Sequence, residues 1–212
     1  MPKSRASRRE FLKTAAGLSA LAGSAGTIAS PVGANAQARP LSPTPSCPGA
    51  ASPTGRQTEG PYFKPDSPLR TSLLEPGLAG TRIVVTGLVL STACEPVAKA
   101  LIDVWHADDR GDYDTGGYRL RGHQFTDDQG RYRVETIVPG IYVGRTRHFH
   151  VKVQAPNRPV LTTQLYFPGE AVNARDPIFS RDLVMRVSDA ASGKTGTFDF
   201  VLDLGAARPA RG

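Results

Sequence analysis

The chain has 212 residues, of which 39% are hydrophobic, with 22 Gly and 18 Pro. So many turn-forming residues exclude a helical bundle and suit one loop-rich domain. The formal net charge of +7 suggests a polyanion-binding surface, but it is concentrated at the N-terminus.

Ser7, Arg8, Arg9, Glu10, Phe11, Leu12 and Lys13 precede an uncharged Ala, Gly and Ser-rich stretch from Thr14 to Ala38. This pattern matches a twin-arginine export signal. A membrane anchor is the alternative, but Gly, Ser and Pro31 leave the stretch weakly apolar. The segment ANAQA, 34–38, offers small-residue cleavage sites. A cut after Ala38 removes five of 26 basic and one of 19 acidic residues, leaving net +3 and little support for nucleic-acid binding. Export through the twin-arginine machinery places the protein in the periplasm or outside the cell. The route carries folded proteins, which suits a protein that acquires a metal before leaving the cytoplasm.

Residues 39–58 form a Pro-rich arm that contains Cys47; the chain's other cysteine is Cys94. In an oxidising compartment two cysteines most simply form one disulfide. Pairing Cys47 with Cys94 closes a loop of about 46 residues, worth ~4 kcal/mol in the chain-entropy model. Two unpaired thiols are the alternative.

Beyond the arm, strand patterns recur at 82–90, 100–106, 131–137, 147–154, 161–167, 182–187 and 197–204. Turn sequences DDQG, VPG, APNRP and FPGE separate them. No amphipathic helix stands out. Count and spacing predict an all-β fold: an antiparallel β-sandwich over 59–205 with an irregular N-terminal arm, long loops and a short tail at 206–212.

One of these strands carries chemistry. In RHFHVKV, His148 and His150 are two residues apart, so their imidazoles share one face while Phe149, Val151 and Val153 take the other. The other two histidines, His106 and His123, lie upstream and read as structural or at most as pocket-rim residues. Two neutral nitrogens are an incomplete metal site, so oxygen or sulfur must complete it. Both cysteines sit in proline-flanked coil and are poor candidates, which favours oxygen.

In order along the chain, TEGPYF (58–63), LIDVWHADDRGDY (101–113), LRG (120–122), TDDQGRY (126–132), VPGIY (138–142), GRTRHFH (144–150) and TQLYF (163–167) resemble the intradiol ring-cleavage dioxygenases. The likeness spans about residues 57–203 and is greatest to the small exported members. It implies one non-haem Fe(III) per chain, held by Tyr113, Tyr142, His148 and His150. It also implies cleavage of a catechol by O2, between the two hydroxyl-bearing carbons, to a muconate-type dicarboxylic acid. Tyr142 is the implied departing ligand and proton acceptor, Arg145 a cation beside the substrate, and Gln164 its hydrogen-bonding neighbour. Gly60, Pro61 and Tyr62 would line the pocket, and Trp105 is expected beneath Tyr113. Two phenolates, a hydroxide and two imidazoles around a ferric ion make a neutral unit, so the charge of such a site balances. The connection from Tyr142 to His148 is shorter than in the large cytosolic members, with Gly144 where those often carry an aromatic residue. The natural catechol and the oligomeric state are left open.

Other classes fit less well. A cupin-type site needs a glutamate soon after the histidine pair and a further downstream histidine, and this chain has neither. A zinc hydrolase keeps three protein ligands, and tyrosinate is an uncommon one. The principal alternative is a non-catalytic exported β-sandwich that binds carbohydrate or protein around a vestigial metal site.

Overall fold

Alternating apolar residues in RIVVTGLVLS put Ile83, Val85 and Val89 on one buried face, and β1 extends over Arg82–Ser91. In the computed structural model, which describes residues 51–205, it is followed by β2 (Leu101–Trp105), β3 (Arg121–Phe125), β4 (Arg131–Ile137) and β5 (His148–Gln154). Then come β6 (Leu161–Tyr166), β7 (Arg186–Ala190), β8 (Gly193–Thr197) and β9 (Phe200–Leu202). One sheet has the order β4-β1-β8-β7, with β9 also on β1; the other has the order β3-β2-β5-β6. The leader, Cys47 and the tail lie outside the described residues.

The two inner faces meet in one apolar core. Val85, Tyr132, Val134 and Phe200 of the first sheet belong to the same cluster as Ile102, Val104, Phe149, Val151 and Leu165 of the second. Each such side chain contributes roughly 1.5–3 kcal/mol by leaving water. Phe149, Val151 and Val153 are buried as their alternation predicts, and their neighbours His148 and His150 are buried too. Strand β5 is therefore covered on both faces, because loops close over the side that carries the histidines.

Three sequence expectations are corrected. The stretch 182–187 does not form one strand: Arg181–Leu183 is a 3-10 turn and the strand begins at Arg186. The stretch 197–204 divides between β8 and β9, because the Leu88 N–H of β1 is taken at 2.8 Å by the Asp199 side chain and not by a backbone carbonyl, which interrupts the ladder. Those two strands also run parallel to β1, whereas the other strand pairs are antiparallel.

The described part of the arm is pinned to both sheets. Thr54 donates its N–H to Val201 O and Gln57 to Thr162 O, and beyond the arm Arg70 donates to His123 O. This route carries Gly60, Pro61 and Tyr62 across the edge of the second sheet. Cys94, in the turn after β1, is disulfide-bonded and has a left-handed backbone (φ 65).

Candidate metal centre

The register of the second sheet builds the centre of the site. Strand β5 places His150 opposite Trp105 of β2 and opposite Gln164 of β6. The indole of Trp105 stacks on the His150 ring (centroids 4.9 Å, 9° between planes), and Phe63 meets the indole edge-on at 5.0 Å. Trp105 thus packs against His150 rather than beneath Tyr113; the β2–β5 pairing puts the two residues side by side.

His148 Nδ1 donates to Thr146 O at 2.6 Å. A carbonyl only accepts, so the proton of the neutral ring is on Nδ1 and Nε2 presents a lone pair. Burial lowers the His148 pKa to about 4 and that of His150 well below its ordinary value, so both rings are neutral near pH 7. Their Nε2 atoms are 3.1 Å apart, and Tyr113 Oη is 3.1 Å from the His150 Nε2 and 3.4 Å from the His148 Nε2. Three ligands at about 2.1 Å from one ion, separated by about 90–110°, are about 3.0–3.4 Å from one another. The triangle of donors fits that requirement. Burial also raises the Tyr113 pKa, so a phenolate there needs an adjacent cation.

The tyrosines come from loops. Tyr113 is in the connection from β2 to β3, and Tyr142 in the connection from β4 to β5. Tyr142 accepts the N–H of Arg145 at 2.7 Å across Val143 and Gly144, and Gly144 supplies the positive φ (73°) the turn requires. The Tyr142 ring lies edge-on to Tyr113 at 5.7 Å. Tyr62 joins them: its ring stacks on Tyr113 at 4.4 Å and its hydroxyl is 2.9 Å from Tyr142 Oη. That contact raises the Tyr62 pKa. Gly60 has φ +71, and a Cβ there would lie 3.2 Å from His150 Cε1, so the GP turn needs glycine to pass over the imidazole. Pro61 is exposed beside it.

Arg145 faces the same space. Its Nε contacts both Asp176 carboxylate oxygens (2.9 and 3.0 Å) and its Nη2 donates to Gln164 Oε1 at 2.6 Å. Gln164 also accepts from Tyr166 Oη at 3.0 Å and donates to Thr58 O, tying the cation to the arm. Burial pushes the Tyr166 phenol up to about 12, so it remains a donor.

Tyr113, Tyr142, His148, His150, Arg145, Gln164, Gly60, Pro61 and Tyr62 thus occupy one region. His106 and His123 lie apart from it. His106 is buried between Ala107 O and Thr136 Oγ1, and His123 Nδ1 contacts Ser67 Oγ. Sequence reasoning missed Asp176 and Thr146, which act through hydrogen bonds to residues far away in the chain or through the main chain. It also missed Arg121, which is buried and donates to Tyr62 O and Asp114 O, holding the TEGPYF segment to the Tyr113 loop. Among the described residues, no group of three or more His, Cys, Asp or Glu forms a rival cluster.

A family model described as Dioxygenase matches residues 58–204. The protocatechuate 3,4-dioxygenase beta chain of Burkholderia cepacia is 39% identical over 118 residues, covering 47% of this chain and 50% of its own. Chlorocatechol 1,2-dioxygenase of Rhodococcus opacus is 28% identical over 185 residues, covering 70% and 72%. This chain spans about half the length of several other curated relatives, among them hydroxyquinol 1,2-dioxygenase of Nocardioides simplex. A solved dioxygenase domain from a dioxygenase carbohydrate-binding protein fusion of Streptomyces sp. SirexAA-E has 56% identity and a TM-score of 0.71. That match covers 73% of this chain and 100% of the domain.

Proposed function

This chain belongs to the intradiol ring-cleavage dioxygenases, and on that premise we propose that it is a ferric enzyme that opens a catechol between its hydroxyl-bearing carbons. Cleavage inserts both atoms of O2 and yields a muconate-type dicarboxylic acid. The observation that carries the proposal is the convergence of His148 Nε2, His150 Nε2 and Tyr113 Oη within 3.4 Å of one another. Tyr142, with its ring edge-on to that of Tyr113, would be the fourth ligand. Bound there, ferric iron supplies an electron-withdrawing centre that makes a catecholate reactive toward O2.

The chain's own groups bind, orient and move protons. His148 and His150 present neutral donors held by Thr146 O and by the Trp105 stack. Tyr142 Oη receives a substrate hydroxyl proton, and the Tyr62 hydroxyl, 2.9 Å away, is placed to hold the resulting phenol. Arg145, fixed on its Nε side, offers Nη1 to negative charge developing on the ring. Trp105 and Phe63 exclude water from the back of the site. Export by the twin-arginine route is part of the same proposal, resting on the motif around Arg8 and Arg9.

The test is aerobic purification with an iron assay, a visible spectrum and an ultraviolet assay of muconate formation. The proposal expects about one iron per chain, a red-brown tyrosinate charge-transfer band that shifts when catechol is added without oxygen, and ring cleavage when oxygen is admitted. A colourless protein that stays iron-free after ferric reconstitution would instead mark a binding module.

A further inference from the structure

Asp176 follows the 3-10 turn Ala171–Arg175, outside every strand and outside the sequence phrases that mark the site. Its carboxylate is wholly buried, with 0% side-chain exposure against 18% for Arg145. Four contacts hold it: two from Arg145 Nε, one from the Thr146 N–H at 3.0 Å and one from the Ile178 N–H at 3.1 Å. A buried carboxylate held this fully is a rigid anchor, since moving it would strand several charged or polar partners together.

Two consequences meet at this one group. First, Asp176 occupies the Nε edge of the guanidinium while Gln164 takes Nη2, so neither of these two anchors uses Nη1, which is the edge left for a ligand. Second, Thr146 is held by Asp176 through its N–H and, on the other side of its Cα, offers the carbonyl that accepts from His148 Nδ1 at 2.6 Å. Thr146 Oγ1 is fixed separately by Asn173 Oδ1 at 2.6 Å, from the same turn. The segment after β6 therefore sets both the direction of the cation and the tilt of one imidazole.

We propose that Asp176 is a positioning residue that aims Arg145 Nη1 into the site and anchors Thr146, the residue whose carbonyl orients His148. The kinetic part of this inference rests on the dioxygenase reading above; the part about Arg145 does not. A group that acts through another loses its effect when that other is removed, so the test is a double-mutant cycle.

Asp176→Asn keeps the shape and removes the charge. We expect it to lower kcat/KM by about 10²-fold, the scale of a misplaced catalytic group, while in an Arg145→Gln background, where only the route through Thr146 and His148 is left, the same change costs about tenfold or less. Equal losses in both backgrounds would overturn the coupling. Independently of turnover, phenylglyoxal modification mapped by mass spectrometry reads the constraint on Arg145 in the whole protein. Asp176→Asn should make Arg145 react severalfold faster with Arg110 and Arg119 unchanged. Unchanged Arg145 reactivity would overturn the inference, as would equal acceleration at all three arginines, which reports general loosening. If wild-type protein cleaves no catechol, the dioxygenase reading fails and the modification experiment still decides the role of Asp176.

Discussion

Acidification should destabilise this protein through a histidine that takes no part in the proposed chemistry. His106 is fully enclosed, with its ring edge-on to Phe149 at 4.9 Å and both nitrogens engaged by Ala107 O and Thr136 Oγ1. Desolvation lowers its pKa from 6.5 to about 4. Between those values the unfolded chain binds a proton that the folded protein refuses, so stability falls as pH drops below 6.5 and the loss levels off below 4. Between pH 7 and pH 4.5 this single group removes roughly 2–3 kcal/mol, a large part of a domain's usual margin. Urea unfolding of the wild type and of His106→Gln at both pH values isolates the contribution, because every other titrating group is common to the two proteins. The variant should be less stable at pH 7 yet lose roughly 2–3 kcal/mol less on acidification. Parallel losses in the two proteins would mean that His106 is protonated when folded, and the account of its burial would be wrong.

Three further outcomes follow from the site. Tyr113→Phe and His148→Ala should each abolish iron retention and the visible band, which an iron assay after gel filtration checks; intact iron in either would remove that residue from the ligand set. Tyr62→Phe keeps the ring stacked on Tyr113 at 4.4 Å and loses only the hydroxyl beside Tyr142. Iron content should be unchanged and kcat should fall by about tenfold at most, the scale of one hydrogen bond. Gly140→Ala should prevent soluble folding, since its Cβ would lie 2.2 Å from Gly111 N and 2.5 Å from Arg110 C; circular dichroism of a soluble Gly140→Ala protein with native melting would refute this.

What was legible in the sequence follows from where the information sits. Strands β1, β4, β5 and β6 announce themselves through Val, Ile, Leu and aromatic residues at alternating positions. The spacing of His148 and His150 on such a strand is itself a geometric statement. Strand β3, RGHQF, carries no β-branched residue and forms because β2 lends it a partner over Leu101–Trp105. Strand β8, GKTGT, likewise has two glycines and takes its place from β1 and β7. In the site, ligand-type residues were readable from their phrases, but Asp176 was not. Its role is a set of bonds to residues about thirty positions earlier, and a lone aspartate before a proline looks like an ordinary turn. Trp105 was misplaced for a related reason: the β2–β5 register decides which ring it meets, and registers are not written in a single strand.

The meeting of Gly111 and Gly140 bears on how such a protein can change over time. Gly140 donates its N–H to Asp108 O at 2.6 Å, and a Cβ on Gly111 would come within 2.3 Å of Ile141 O. The two tyrosine loops are thus joined main chain to main chain, and the separation of Tyr113 from Tyr142 owes little to the side chains around them. Val143, 89% exposed at the tip of its turn, and the solvent-facing Pro61 stand outside that joint. A lineage can exchange residues at the rim and try new aromatic compounds while the phenols keep their spacing. The two glycines separate the part of the protein free to drift from the part that must stay fixed.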